Sequence, residues 1–501
     1  MRLYTASEMS RADANAQSLG IPGIVLMERA GSAMARLALE RFSPERALVV
    51  AGGGNNGGDG FVVARELHRA GVEVVVCATR EEYRGDPETN LRTLQNLGVR
   101  FCGREELADE LAAADLVVDA LLGTGFSGEV REDAARIIRE INASGTRVFS
   151  VDVPSGVDGS TGEVGGEAVR AEMTACAHAV KVGCVVSPGC DHAGEVVAVD
   201  IGVPSEAEVE SSVVLGDREE LRGLVPRTAQ PAHKYSAGTL LVVAGSRQMT
   251  GAAVMSVLGA QRAGCGIIFL VVPGSAASAV DARLTETIVS GAPEDGEGHL
   301  TPEALGEVLE RAERASAVVV GPAIGRTEES RRLVEGILRE VEVPVLLDAD
   351  GVTSLAGSDA LARREPPTVI TPHAGELGRI LDVGAGEISA RRLHHAREAA
   401  RRFGCCVLLK GNDTIVAEGE RVSVNPTGSV ALATAGTGDV LSGVIGALLS
   451  RGMGVYDAAR VGAWAHGRAA HLWLEETGWP AESMVATDLV PLLPRALREL
   501  V

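Results

Sequence analysis

Lysine is almost missing from this chain. Of 47 basic residues, only Lys181, Lys234 and Lys410 are lysines; the other 44 are arginine. Each surviving lysine therefore invites its own explanation, because a planar guanidinium does not imitate a compact ammonium at a phosphate or a proton-transfer position. Positive charge is short overall: the formal net charge is −21, and no basic block stands out. A face that neutralises duplex phosphates is not expected, and neither is a nucleic-acid partner. Small anionic ligands stay open, since backbone N–H groups bind phosphate without side-chain charge. No apolar run reaches the length of about 18 residues needed to cross a bilayer, so no membrane association is expected. Met1 to Arg41 has no basic start followed by an apolar segment, so a secretory signal is not expected and a cytoplasmic location is. The eight cysteines (Cys77, Cys102, Cys176, Cys184, Cys190, Cys265, Cys405 and Cys406) include no C-x-x-C pair. Cys184, Cys190 and His192 lie close together but lack the usual ligand spacing, and reduced core thiols are the expectation.

A chain of 501 residues is too long for one ordinary core, which implies two or three domains. Apolar residues at 46% and charged residues at 23% fit a globular protein. From Ala47 to about Val203, strand and helix patterns alternate. Strands are expected at Ala47–Ala51, Glu73–Ala78, Leu116–Ala120, Arg147–Val151 and Val196–Ile201, with helices such as Phe61–Ala70 and Asp133–Asn142 between them. Before this series, Ser7 to Phe42 reads as two helices broken at Gly20-Ile21-Pro22-Gly23. Polar and acidic residues from Ser205 to Glu220, followed by Pro226 and Pro231, read as a linker. A second series starts at Thr239–Ala244. It continues through Gly266–Val272, Ala317–Val320, Pro344–Leu347, Thr368–Ile370 and Cys405–Leu409, and ends in a hairpin of Thr414–Ala417 and Arg421–Val424. Three helical segments close the chain. The expected fold class is α/β, two doubly wound domains at 1–213 and 214–501, each a mostly parallel sheet with helices on both faces.

The stretch Gly52-Gly53-Gly54-Asn55-Asn56-Gly57 satisfies G-x-G-x-x-G, the dinucleotide-binding pattern. A redox turn of that kind carries an acid at the tip of the second strand, whereas this strand ends Cys77-Ala78-Thr79-Arg80. Asn55, Asn56 and Asp59 are expected to project from the loop, where a passive phosphate cradle needs only small residues. Such groups suit hydroxyls, a carboxamide or a monovalent cation. Two further loops have the same character: Val118–Glu129, with Asp119, and Val151–Gly162, with Asp152, Ser155 and Asp158. All three stand at strand carboxyl ends and are expected to converge on one pocket. Helix capping is the alternative role for Asp152 and Asp158.

With "LMERAG" (Leu26–Gly31), "GGGNNGGDG", "GTGFSG" and "VDVPSGVD" in this order, residues 1 to 210 resemble the NAD(P)H-hydrate epimerase family. That resemblance implies an isomerase acting on nicotinamide nucleotide hydrated at ring carbon six. Asn55, Asn56, Gly57, Gly58, Asp59, Gly123, Thr124, Gly125, Phe126, Ser127, Gly128, Glu129 and Asp152 would contact the hydrate. Asn56, Asp119 and Ser155 would hold K+, and Asp152 and Lys181 would be catalytic. The stretch before Lys181, "TACAHAV", is less aromatic than is usual in the family.

In the second half, Gly436-Thr437-Gly438-Asp439 stands where a helix begins. Exposed N–H groups and the helix dipole favour an anion there, and an Asp beside them is placed to take a proton from a hydroxyl next to a phosphate. An N-terminal cap is its alternative role. "LLKGNDTIV" (Leu408–Val416), "VVGPAIGR" (Val319–Arg326), "LLDADGV" (Leu346–Val352) and "ITPHAGEL" (Ile370–Leu377) are strand-to-loop transitions on the same expected edge. His373 has helix capping as its alternative, and His233 and His466 are expected to be structural. The stretches "HKYSAGTLLVVAGS", "TPHAGE", "LLKGNDTIV" and "TAGTGDVLSG" resemble the ADP-dependent NAD(P)H-hydrate dehydratase branch of the ribokinase-like superfamily. The resemblance implies a lyase. Asp439 would be the catalytic base; Lys410, Gly411, Asn412, Asp413, Thr414 and Gly438 would bind ADP with Mg2+; Ala252, Gly325, His373 and Asp439 would face the hydrate. This chain has Gly321-Pro322-Ala323 where the branch has Gly-Pro-Gly.

Together the halves imply a bifunctional repair enzyme, expected to be a homo-oligomer, for hydrated NADH and NADPH. A ribokinase-like small-molecule kinase fused to an unrelated nucleotide-binding domain, and a non-catalytic nucleotide sensor, are the alternatives. A sensor has no need of Asp439, Lys410, Asp152 and Lys181 together, and a kinase would stop at a stable phosphorylated product.

Overall fold

A computed structural model describes residues 1–227 and 236–501; Pro231, His233 and Lys234 lie outside the described residues. The chain divides into two compact units, Arg2–Val213 and Val214–Val501, the latter including Met1. Among the described residues no helix is long and apolar enough to cross a membrane.

In the first unit, β1 (Arg46–Ala51), β2 (Glu73–Ala78), β3 (Arg100–Cys102), β4 (Leu116–Ala120), β5 (Arg147–Val151), β6 (Met173–Ala177) and β7 (Glu195–Val199) form one sheet. Their order is β3-β2-β1-β4-β5-β6-β7, with every neighbouring pair parallel. Helices α1 (Ala6–Ser18), α2 (Gly23–Phe42), α3 (Asn55–Arg69), α4 (Asp86–Asn96), α5 (Leu107–Ala113) and α6 (Glu132–Ser144) accompany it. Strand β1 shows why the sheet is covered twice. Its Leu48 and Val50 pack with Leu107, Leu111, Ile138 and Ile141 of α5 and α6. Its Ala47, Val49 and Ala51 pack with Met34, Phe61 and Leu67 of α2 and α3. Successive side chains of a strand point to opposite faces, so one unbroken apolar run feeds two cores.

Two strands escape the sequence pattern. β3 has only three residues, and β6 is Met-Thr-Ala-Cys-Ala, whose small side chains give no clear period. The start of α3 is also displaced. It was expected at Phe61 but lies at Asn55, so Asn55, Asn56 and Asp59 stand on the first turns of a helix and not in a loop. Glycines at 57, 58 and 60 argue against helix by propensity, but tertiary packing overrides it. A Cβ on Gly57 would lie 1.9 Å from the Gly52 carbonyl oxygen, and one on Gly60 would lie 2.5 Å from Ala120 Cβ. The helix can start this close to the β1 turn only because those side chains are absent.

In the second unit the strands are β8 (Thr239–Val243), β9 (Ile267–Pro273), β10 (Ile288–Ala292), β11 (Ala317–Val320), β12 (Val345–Leu347), β13 (Thr368–Ile370), β14 (Cys406–Leu409), β15 (Ile415–Glu418) and β16 (Arg421–Val424). They run in the order β10-β9-β8-β11-β12-β13-β14-β15-β16. Pairing is parallel from β10 to β14. The expected hairpin is the antiparallel continuation, with Glu418 opposite Arg421. Helices α7 (Thr250–Arg262), α8 (Ala374–Leu381), α9 (Thr437–Ser450) and α10 (Val455–Thr477) position the site. Helix α9 is apolar nearly all round, with Val440, Leu441, Val444, Ile445, Leu448 and Leu449 buried. A helix of that composition belongs inside a protein, and it packs in one core with Val254 and Val257 of α7 and Val461 and Trp464 of α10.

Candidate active sites

A cavity of about 1800 Å³ opens at the carboxyl edge of the first sheet. It lies where strand order reverses around β1, the crevice in which ligands of open α/β sheets sit. Asn55, Asn56, Asp59, Gly123, Thr124, Gly125, Phe126, Ser127, Glu129, Asp152 and Lys181 line it, whereas Gly57, Gly58, Gly128, Asp119 and Ser155 do not.

Lys181 and Asp152 form a buried ion pair with Nζ 2.5 Å from Oδ1. Lys181 is fully buried; its Nζ also donates to the Ala177 carbonyl at 2.6 Å. Burial alone would lower its pKa, but Asp152 and the neighbouring thiols outweigh that and raise it, so the ammonium is retained. Asp152 takes a left-handed backbone, φ +67°, and its Oδ1 accepts the Ala177 N–H at 3.0 Å. It is thus held from two sides rather than acting as a helix cap. Half-buried Asp59 adds a third group: burial, then Asp152, push its pKa well up.

Beside the cavity, Asp119 is fully buried and accepts from Ser150 Oγ (2.8 Å), Ser155 N (2.9 Å) and Ser155 Oγ (2.5 Å). Burial raises its pKa against the pull of these hydrogen bonds. The Leu122 carbonyl accepts Asn56 Nδ2 at 2.9 Å and lies 3.2 Å from Ser155 Oγ. Asn56 and Ser155 therefore meet at a single carbonyl, and Asp119 joins them through Ser155. Among the described residues, Asn56 Oδ1 is buried with no hydrogen-bond partner. An orphaned amide oxygen beside a carbonyl, a hydroxyl and a carboxylate is a hard-oxygen donor set of the kind a monovalent cation fits.

In the second unit the strand ends β11 to β14 bring the chemistry together. Asp348, just past β12, is buried and accepts Lys410 Nζ (2.8 Å), Thr371 Oγ1 (2.7 Å) and Ser442 Oγ (2.7 Å). Burial opposes ionisation of Asp348, but these partners prevail and lower its pKa. Lys410 also lies 3.7 Å from Glu376, and the two carboxylates raise its pKa against its own burial. A Cβ on Gly438 would stand 3.7 Å from Lys410 Nζ, so the lysine reaches the start of α9. Asp439, on the first turn of α9, is pushed up to about 7, chiefly by burial, then by Asp348, against the pull of Lys410. The N-cap is Gly436, φ +90°, and among the described residues Asp439 has no hydrogen bond or ion pair through its side chain.

The flanking residues divide. His373 does cap α8: its Nδ1 accepts the Gly375 and Glu376 N–H groups at 2.9 and 3.3 Å. His466 is structural, donating Nε2–H to the Thr437 carbonyl at 2.9 Å, with burial lowering it to about 4. Asp413 accepts Arg392 Nε at 3.0 Å, and Thr414 Oγ1 closes its loop on the Gly411 carbonyl at 2.7 Å. Gly325 N donates to Asp350 Oδ2 at 3.1 Å, and Ala252 stands on the first turn of α7. Ala323 adopts φ +57°, the left-handed backbone a glycine would take freely. Cys190 Sγ is 3.1 Å from Ser187 Oγ, and His192 Nδ1 is 3.2 Å from the Val169 carbonyl. Asp348 lies inside "LLDADGV" with nothing in its neighbours to mark a role, and Asp13 of α1, which lines the first cavity, stands in no motif.

Two doubly wound α/β units, each with an ammonium paired to carboxylates at the carboxyl edge of its sheet, define a two-site enzyme for acid–base chemistry. Residues 240–495 match the family model described as NAD(P)H-hydrate dehydratase, and residues 23–183 match that of the YjeF-related protein N-terminus. A bifunctional NAD(P)H-hydrate repair enzyme of Moorella thermoacetica is 38% identical over 100% of this chain and 97% of its own. A ribokinase-like superfamily protein of Enterococcus faecalis V583 superposes with TM-score 0.50 at 20% identity, over 58% of this chain and 98% of its own. An ADP/ATP-dependent NAD(P)H-hydrate dehydratase from Bacillus subtilis is 30% identical, over 57% of this chain and 98% of its own, with TM-score 0.49. The chain belongs to the family of bifunctional NAD(P)H-hydrate repair enzymes and carries both an epimerase and a dehydratase domain.

Proposed function

We propose that residues 1–213 interconvert the R and S epimers of hydrated NADH and NADPH, and that residues 214–501 dehydrate the S epimer with ADP as phosphate donor. The observation that carries the second assignment is Asp439: a half-buried carboxylate near 7, beside Lys410, at a helix start that attracts anions. Hydroxide is a poor leaving group from the hydrated ring, and phosphate a good one. Asp439 takes the proton of the ring hydroxyl as it attacks the terminal phosphorus of ADP; AMP departs. Elimination of phosphate then restores the dihydronicotinamide. Lys410, pinned by Asp348, presents a fixed ammonium to the nucleotide, with Gly411–Thr414 and Gly438 around it; Ala252, Gly325 and His373 face the hydrate. Mg2+ would arrive on the nucleotide and offset its phosphate charge.

In the first unit, Asp152 and Lys181 handle the proton of the ring oxygen, and Asn55–Asp59 and Gly123–Glu129 hold the nucleotide. Asn56, Asp119 and Ser155 would hold K+, which would fix the two loops around the Leu122 carbonyl. An epimerase feeding an epimer-selective dehydratase lets both hydrate forms be repaired. The test is incubation of synthetic hydrated NADH with ADP, following recovery of dihydronicotinamide absorbance. Asp439→Ala should abolish recovery and leave epimer exchange intact. Loss of both activities would refute the division of labour.

A further inference from the structure

Helix α1 turns one face to the epimerase cavity: Ala6, Met9, Ser10, Asp13 and Gln17, three or four residues apart, all line it. Its position relative to Lys181 is fixed by backbone. Tyr4 N donates to the Val180 carbonyl at 3.0 Å and Val182 N to the Tyr4 carbonyl at 3.1 Å, on either side of Lys181. Thr5 and Glu8 form a capping box that starts α1 there, and Ala6 N donates to Ser160 Oγ at 3.0 Å. Asp13 is half-buried on this anchored helix and, among the described residues, has no hydrogen bond or ion pair. Burial, opposed by Lys181 and helped by Asp152, raises it to about 6. Asp152, in contrast, is already engaged by Lys181 Nζ and the Ala177 N–H.

The reaction asks for two such groups. The ring nitrogen lone pair expels the C6 oxygen only if that oxygen leaves as water, so an acid must supply a proton as the C–O bond breaks and an N=C6 iminium forms. Water then adds to the other face of C6 and gives up a proton to a base, which restores the amine and yields the opposite epimer. Atoms and charge balance without oxidant or co-reactant. In the reverse direction the two groups exchange roles, so each must both hold and release a proton near neutrality.

We propose that Asp13 is the second acid–base residue of epimerisation, exchanging a proton with the C6 oxygen in turn with the Asp152–Lys181 pair. This rests on reading the cavity as the epimerase site. The experiment uses the full-length chain and purified R epimer of hydrated NADH, measuring exchange to S without ADP in oxygen-18 water. Asp13→Asn should lower kcat for exchange by roughly 100-fold with little change in KM, and should remove the limb of the pH profile near 6. Asp13→Glu should restore part of the rate. The wild-type chain should incorporate solvent oxygen at C6 with each inversion. Dehydration of the S epimer with ADP should be unchanged in both variants, which reports folding. Exchange by Asp13→Asn at the wild-type rate, a change in KM alone, a retained acidic limb, or inversion without solvent oxygen would each overturn the proposal. Asp152→Asn run alongside separates the two readings: full exchange there refutes the site itself, whereas its loss with full activity in Asp13→Asn refutes only the role of Asp13.

Discussion

Replacing Lys181 by Met tests the buried pair directly. The ammonium is fully buried, with Asp152 Oδ1 at 2.5 Å and the Ala177 carbonyl at 2.6 Å. Methionine matches the length of the stem and removes only the charge and its hydrogen bonds. Asp152 keeps the Ala177 N–H but loses its counter-ion. Removing one partner of a buried pair costs about 3–5 kcal/mol, because the other charge is left uncompensated. For a unit of this size, that corresponds to a fall in Tm of roughly 6–20 °C. Asp152→Asn added to Lys181→Met removes the stranded carboxylate, so the double variant should regain about half or more of the loss. Thermal and urea unfolding of wild type, both single variants and the double variant, at pH 7, close the cycle. A Lys181→Met chain as stable as wild type, or a double variant no better than the single, would refute the reasoning. Lys181→Met should also lose epimer exchange and keep dehydration of the S epimer.

The dehydratase should follow the ionisation of Asp439. A base near 7 is mostly protonated below that pH, so kcat/KM for the S hydrate should climb through pH 7 and fall to about one tenth of its plateau at pH 6. A flat profile between about pH 5.5 and 8.5 excludes Asp439 as the base, about 1.5 units either side of neutrality being enough to see the limb. Ala323→Gly should stabilise the second unit by about 1 kcal/mol, because Ala323 holds φ +57°; a lower denaturation midpoint contradicts the strain. Asn56→Leu removes the orphaned Oδ1 and should abolish any stimulation of epimer exchange by K+ over Na+; stimulation equal to wild type would place the cation elsewhere.

Much of the fold could be read from the chain before any coordinates. Glu73–Ala78, Leu116–Ala120, Arg147–Val151, Ala317–Val320, Thr368–Ile370 and Arg421–Val424 were expected residue for residue. Apart from Arg421–Val424, which the turn before it marks, these are buried strands, and burial on both faces leaves an apolar run with β-branched residues that needs no partner to be recognised. The helix at Asn55 was not legible, because its glycines answer to Gly52 and Ala120, which propensity does not see.

What the sequence determined by itself was local: which segments are strands, that the chain holds two α/β series, and that Lys181, Lys410, Asp152 and Asp439 are chemically unusual where they stand. Composition sufficed for that, since each inference depends on neighbours within a few residues. Only the tertiary structure decided who meets whom. It set Lys410 against Asp348, 62 residues away, and Ser442 against the same carboxylate from 94 residues away. It gathered Asn56 and Ser155 around the Leu122 carbonyl and brought Asp13 of α1 into the cavity of Lys181. The physical reason is that protonation and cation affinity depend on burial and on charges a few ångströms away in space, and spacing along a chain carries no measure of either.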